Sequence, residues 1–405
     1  MNVLFLCHRL PFPPKRGGKI RPFNMIRHLS RDHRVTVATV ARTREEIREG
    51  EGLREHCHAV HVGLVTGPKG WARFALSAPT LYPSTFAYFY SPTLWRTVQG
   101  LLAREAFDAI MVHCSSMGPY VAQHTGCRKV MDFGDADSEK WLEYARRTRS
   151  PFGLGFRWEG YRVRRWEREL GRRFDACSVI SAHERDVLGA YVTRPIAVIP
   201  NGVDLAYFRP EPGAADHHPR RIVFTGNMSY APNVDAVRHL AAAVLPRLRE
   251  RVPDVELFIV GMDPSPAVRR LADGGRVVVT GRVDDVRPFL ASAAVAVAPL
   301  RVARGLQNKV LEAMAMRVPV VASPAAARGI DAVPDRDLLV AGEPEGFARA
   351  VGDLLLDPAA RERYAAAGRA CVAANHDWDR LLARLGDLIA PAAPLRQNLD
   401  RGVPA

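Results

Sequence analysis

The chain has 405 residues, of which 47% are hydrophobic and 25% charged, with a formal net charge of +14. That apolar content suffices for two globular domains and excludes a disordered chain. The longest uncharged apolar run near the middle, residues 289–300, has 12 residues, which suits a buried strand and its flank and not a membrane span.

The first strand reads at residues 3–7. It is too short for the apolar region of a secretory signal and runs straight into His8 and Arg9, so a cytoplasmic protein is expected. The six cysteines are scattered without a CxxC pair and read as reduced core residues, with no metal site. A loop with three prolines and Gly17-Gly18 follows, then a helix over 20–31 and a strand over 35–40. This strand-loop-helix-strand order is a βαβ unit and implies a parallel sheet. Further strands read at 59–63, 109–113, 129–133 and 176–180, with helices near 93–105 and 157–173. The pattern restarts after 196–200. Strands read at 221–225, 256–261, 277–280, 295–299 and 318–322, and helices at 233–251, 266–272, 286–292 and 308–316. Two doubly wound α/β domains are expected, the first over 1–194, a hinge over 195–216 and the second over 217–376. An amphipathic helix, placed at 378–389 within a segment 377–390, could pack back on the first domain, and 391–405 reads as a mobile tail.

The positive charge is uneven. Residues 1–200 hold 31 Lys and Arg against 19 Asp and Glu, whereas the remainder holds 26 against 24. An anionic partner for the first half follows, or a generically Arg-rich surface. Residues 146–173 hold ten arginines and three acids, interleaved with aromatic rings, and residues 71–95 are aromatic and poor in charge. This mixture suits an anionic bilayer, a helix with an aromatic core face or, as the weakest reading, single-stranded nucleic acid.

Residues 305–323 carry the sharpest chemical signal. Gly305 opens a turn, a helix follows, and a Pro-led apolar strand comes next. Lys309 and Glu312 stand three residues apart and so share a helix face. The exposed N–H groups and dipole of a helix start favour an anion such as phosphate. A carboxylate one turn on is placed to accept from sugar hydroxyls. Phosphate beside hydroxyl proposes a nucleotide-sugar site.

Three segments in order and spacing carry a family resemblance: the Gly17-Gly18 loop, residues 198–204 (Val-Ile-Pro-Asn-Gly-Val-Asp) with Phe208, and residues 305–323 with Leu311-Glu312-Ala313-Met314-Ala315. Over almost its whole length the chain resembles the retaining GT-B glycosyltransferases of the large family-four group. Residues 133–145 and 293–316 further resemble the sugar transferases of exopolysaccharide clusters associated with the PEP-CTERM/exosortase system. The resemblance implies a GT-B fold, two Rossmann-like domains facing across a cleft, and metal-independent hexosyl transfer. The donor would be a nucleotide diphosphate sugar, used as substrate with no cofactor. The acceptor would be a glycan, polyprenyl-linked or otherwise lipid-linked, and the enzyme could contact an anionic membrane on its inner face through the basic first domain. No nucleic-acid partner is expected.

Carried onto this chain, the resemblance assigns the donor to Gly17, Gly18, Arg282, Arg304, Gly305, Leu306, Gln307 and Glu312. The Gly17-Gly18 amides would form a phosphate nest ringed by Lys15, Arg16, Lys19 and Arg21. Lys309 is expected to meet the diphosphate and His113, at a strand end, the reacting sugar. Asp135 and Asp137, crowded with Asp132, Ser138 and Lys140, would place an acceptor hydroxyl or else serve as turn and helix cap. Asn201 and Asp204 read as hinge residues. Two departures stand out: relatives often carry a second glutamate where Arg304 stands, and residues 226–230 lack the Arg and Lys usual for the diphosphate. Rival readings are a nucleotide-sugar epimerase of the same architecture and a catalytically weakened nucleotide-sugar-binding subunit.

Overall fold

The computed structural model describes residues 1–14, 17–65, 67–148, 150–210, 217–303 and 305–390. Two compact units emerge, Met1–Ala197 together with the chain from Ala383, and Val198–Leu382.

The first unit is built on seven strands: β1 (Asn2–Cys7), β2 (Arg34–Ala41), β3 (Ala59–Leu64), β4 (Ala109–His113), β5 (Arg128–Gly134), β6 (Ala176–Val179) and β7 (Ile196–Val198). Their order across the sheet is β3-β2-β1-β4-β5-β6-β7, and the pairs from β3 to β6 are parallel. Val3 to Cys7 of β1 are wholly buried. A continuous apolar run of this kind is what a central strand covered by helices on both faces requires. Register sets the chemistry of one edge. Cys7 lies opposite His113, His113 opposite Asp132, and Asp132 opposite Ser178, a row across four strands at their carboxyl ends.

The second unit repeats the plan with β8 (His218–Thr225), β9 (Glu256–Val260), β10 (Val277–Gly281), β11 (Ala293–Ala298), β12 (Val320–Ala322) and β13 (Leu339–Val340). Its order is β10-β9-β8-β11-β12-β13, parallel throughout. In both sheets the order reverses beside the first strand, the switch point where open α/β sheets place ligands.

Local chemistry explains the boundaries. Thr43, Ser91, Ser181, Ser265, Ser323 and Asp357 cap helix starts by accepting from backbone N–H groups. The single helix expected over 233–251 is instead Ala231–His239, a π-turn Leu240–Val244, and Leu245–Arg251. Pro246 lacks the N–H that would continue the α ladder, and the wider turn takes up the mismatch. Trp378, Leu382, Leu385 and Ile389, spaced along one face of helix Trp378–Ile389, are each at most 2% exposed. In that helix's last turn, Leu388 O accepts from Arg128 Nε at 2.6 Å. Among the described residues no helix is long and apolar enough to cross a membrane.

Candidate functional site

In the second unit, helix Asn308–Ala315 starts after a turn at Gly305, whose φ of 62° lies in the left-handed region that glycine enters without penalty. Gln307 occupies the cap position without a side-chain capping bond. The helix-start amides are therefore not closed by their own cap, which suits an anion. Lys309 reaches back from this helix to the carboxyl edge of β8. Its Nζ donates to Asn233 Oδ1 at 2.6 Å and sits 4.2 Å from the centre of the Phe224 ring. Asn233 in turn donates to Asn227 O at 2.9 Å. The loop after β8 is drawn tight here. A Cβ on Gly261 would fall 1.7 Å from Gly226 O, so only glycine fits beside it.

Lys309 is half-buried by area, yet closely ringed by protein atoms. Desolvation pulls its pKa down to about 7, against the opposing charge of Glu312. Desolvation likewise pushes Glu312 up to about 7, against the charge of Lys309. Among the described residues the Glu312 carboxylate has no hydrogen-bond partner. Glu312 is half-buried, and Asn308 Oδ1, at the start of the same helix, is buried and has no hydrogen-bond partner. A buried acceptor without a partner is rare in folded proteins, and Asn308 Oδ1 beside the Glu312 carboxylate suits a hydroxyl-bearing ligand. Leu306 and Gln307 lie in the same turn, and Gln307 Nε2 donates back to Gly305 O at 3.2 Å. Arg304 lies outside the described residues. Arg282 is exposed, one residue past Gly281 at the end of β10.

In the first unit, the register row becomes a hydrogen-bonded network. Asp132, fully buried, accepts from Arg21 Nε at 2.8 Å and Nη2 at 2.7 Å, and from Ser178 Oγ at 2.8 Å. Its Oδ2 lies 2.7 Å from His113 Nδ1. Burial alone would raise its pKa, but the charge and hydrogen bonds of Arg21, with those of His113, outweigh burial and hold it well below the usual carboxylate range. His113 is thereby fixed through Nδ1, which leaves Nε2 for other partners. Asp135, just past β5, is open to solvent by area, yet it sits among enough protein that partial desolvation, with the charges of Glu184 and Asp137, pushes it up to about 7. Asp137 begins helix Asp137–Arg147 and accepts from Ser115 Oγ at 2.7 Å. Ala136, and neither Asp137 nor Ser138, takes the cap position, and it makes no side-chain capping bond.

Gly17 and Gly18 open helix Gly17–Leu29. Of the cations expected around them, Lys15 and Arg16 lie outside the described residues. The other two are committed elsewhere, which corrects the reading of a basic ring. Lys19 pairs with Glu46 at 3.1 Å, and Arg21 is 3% exposed and turned onto Asp132. A buried guanidinium must be paired, and Asp132 supplies the opposite charge. The hinge candidates are tied to backbone. Asp204 Oδ1 accepts from Ala206 N and Tyr207 N, and Asn201 O lies 3.3 Å from His376 Nδ1.

Sequence reading missed Asn233, Asn308 and His8. The His8 ring centre is 5.7 Å from that of His113, and its Nδ1 is buried without a partner. Burial, with the charges of Arg9 and His113, keeps His8 well below its ordinary pKa and therefore neutral. Strand register was the available signal: His8 is the residue after Cys7, the partner of His113.

Two family models match the chain in succession, the one described as Glycosyltransferase Family 4 over residues 16–207 and Glycosyl transferases group 1 over residues 219–357. The chain is 30% identical over 247 residues to the GDP-mannose-dependent alpha-(1-6)-phosphatidylinositol monomannoside mannosyltransferase of Mycobacterium tuberculosis. That alignment covers 55% of this chain and 63% of the relative, so the chain spans less than two thirds of the relative's length. Sucrose-phosphate synthase from Thermosynechococcus elongatus has a similar structure, with a TM-score of 0.68 at 17% identity over 96% of this chain and 98% of that one. Anabaena HepE, solved in complex with UDP, gives a TM-score of 0.67 at 16% identity over 96% and 99%. At these identities the structural likeness is one of fold, two Rossmann-like parallel sheets.

Proposed function

We propose, from the premise that this chain has the GT-B fold of the family 4 and group 1 glycosyltransferases, that it transfers a sugar from a nucleoside diphosphate donor to a lipid-linked glycan. The observation that carries this reading is the Lys309–Glu312 pair: a cation at an anion-favouring helix start, and one turn on an unpartnered carboxylate. The two partners of a nucleotide sugar, diphosphate and hydroxyl, answer these two needs. That the solved relative HepE holds UDP supports a nucleotide donor.

In this proposal the second unit binds the donor. The C–O bond at the anomeric carbon breaks, its electron pair leaves with the diphosphate, and the sugar takes on oxocarbenium character. Lys309, protonated against the diphosphate, and the amides of Leu306, Gln307 and Asn308 stabilise the departing charge. Glu312 and Asn308 accept from hydroxyls and orient the nucleotide. In the first unit, His113, oriented by the positioning residue Asp132, hydrogen-bonds the sugar through Nε2, and Asp135 and Asp137 place the acceptor hydroxyl. Retention, by attack on the face the diphosphate leaves, with a phosphate oxygen taking the acceptor's proton, follows the family resemblance. So do metal independence and the assignment to exopolysaccharide assembly of the PEP-CTERM/exosortase type.

The test is release of nucleoside diphosphate from a panel of UDP- and GDP-sugars, with and without a lipid extract as acceptor source. Release that rises with the extract supports transfer. Conversion of one sugar to another without any acceptor would instead make the chain an epimerase.

A further inference from the structure

Helix Phe152–Arg173 presents a stripe that neither cluster uses. Leu154, Trp158, Tyr161, Arg165, Arg168 and Arg172, at 4-3-4-3-4 spacing, share one face and are all exposed. The character of the stripe changes along the helix axis and not around it. Its first half is apolar or aromatic, with Leu154 71% exposed, and its second half is arginine. Among the described residues these three arginines have no carboxylate partner, whereas their neighbours Arg164 and Arg173 pair with Glu139 and Glu169. Beside the arginine half, Leu81, Tyr82 and Trp166 help line a groove of about 560 Å³. Further apolar side chains stand in water nearby in the chain, Phe152 at the helix start and Leu76 at the end of helix Gly67–Ser77.

The loop that carries Leu81 is held by a buried ion pair. Arg162 donates to the carbonyls of Ser77, Ala78, Thr80 and Tyr82 at 2.8–3.1 Å and pairs with Glu159. Glu159 in turn accepts from the backbone of Ser84 and Thr85. Desolvating two charges is expensive, and such a pair fixes geometry more readily than it adds stability. The geometry fixed here keeps apolar side chains in water, which a purely internal role does not require.

We propose that this face, the 76–82 segment with the stripe of helix Phe152–Arg173, docks the first unit on an anionic lipid bilayer. The leucines and rings enter the acyl boundary, and Arg165, Arg168 and Arg172 meet lipid phosphates. Single-stranded nucleic acid would engage the rings and cations but not Leu76 and Leu154, which cannot stack on bases. The inference deepens the transferase reading, since a lipid-linked acceptor lies in such a bilayer. Vesicle binding itself needs neither donor nor acceptor.

Co-sedimentation of the full chain with phosphatidylcholine vesicles, with and without phosphatidylglycerol, tests it. Binding is expected only with phosphatidylglycerol and should weaken as salt rises. The triple variant R165E/R168E/R172E should lose roughly 100-fold in partitioning, and L76S/L154S should release the binding that survives high salt. Both variants should keep wild-type circular dichroism and wild-type donor cleavage in vesicle-free solution. Binding to neither vesicle, or binding untouched by both variants, overturns the proposal. Donor cleavage without vesicle binding sinks the docking surface alone, whereas vesicle binding without any donor cleavage sinks the transferase reading alone.

Discussion

Lys309 and Glu312 meet near neutrality from opposite sides. Desolvation depresses the lysine and raises the glutamate, so burial leaves both only partly charged near pH 7. Lys309 binds fewer protons folded than unfolded between pH 7 and its ordinary value, so its contribution to stability rises with pH there. Glu312 binds more when folded between its ordinary value and pH 7, so its contribution falls with pH across that range. A diphosphate favours the charged lysine. Nucleoside diphosphate binding at pH 8 should therefore take up a proton, seen by calorimetry in buffers of different ionisation enthalpy, and Lys309→Met should abolish the uptake. Lys309→Ala should lower kcat by roughly 100-fold or more with the fold intact. The buried Asp132 follows the usual carboxylate sign: its depressed pKa contributes stability above pH ~4 that is lost only in strong acid. Asp132→Asn removes the buried carboxylate that Arg21 pairs with and should destabilise the chain by about 3–5 kcal/mol in denaturant unfolding. The i,i+3 pair and the strand-end histidine were legible because both depend on local spacing. Arg21 on Asp132, and His8 beside His113, were not, because each depends on which strands become neighbours.

At the scale of elements, the long apolar strands and the helices beginning near Pro92 and Asn308 could be read with only end errors. Burial on both faces leaves an unbroken apolar run that local sequence displays. Short elements were missed: helices Ser84–Phe89 and Ala182–Gly189, and the 3-10 turn Ser115–Tyr120, are too brief to show a period. No element was expected over 344–375, where helices Pro344–Leu356 and Pro358–Asn375 stand; the second is rich in alanine, which blurs its apolar face. The buried Arg162–Glu159 pair could not be read at all, since its partners lie more than 70 residues away. Glu159→Gln leaves Arg162 buried and unpaired, and should cost about 3–5 kcal/mol by denaturant unfolding. Open solvation of that pair would instead give a change within about 1 kcal/mol.

For the molecule as a whole, the restart of the β-helix pattern after residue 200 announced two Rossmann-like sheets, and both have the strand order of that fold. The amphipathic helix expected to pack back on the first domain is divided in the structure: the first unit draws on the chain from Ala383, and the residues up to Leu382 belong to the second. Removing residues from Ala383 onward takes away the fully buried Leu385 and Ile389 and leaves Arg128 without Leu388. Each lost side chain is worth about 2–5 kcal/mol, so calorimetric unfolding should show a transition at lower temperature while nucleotide binding by the second unit persists. The account turns on that second unit holding a nucleotide through Glu312. Titration of UDP and of GDP into the wild-type chain and into Glu312→Ala tests this most directly. One nucleotide should bind the wild type and lose roughly tenfold or more in the variant, as expected for a hydrogen bond to a charged group. Equal affinity in the two proteins would contradict the site.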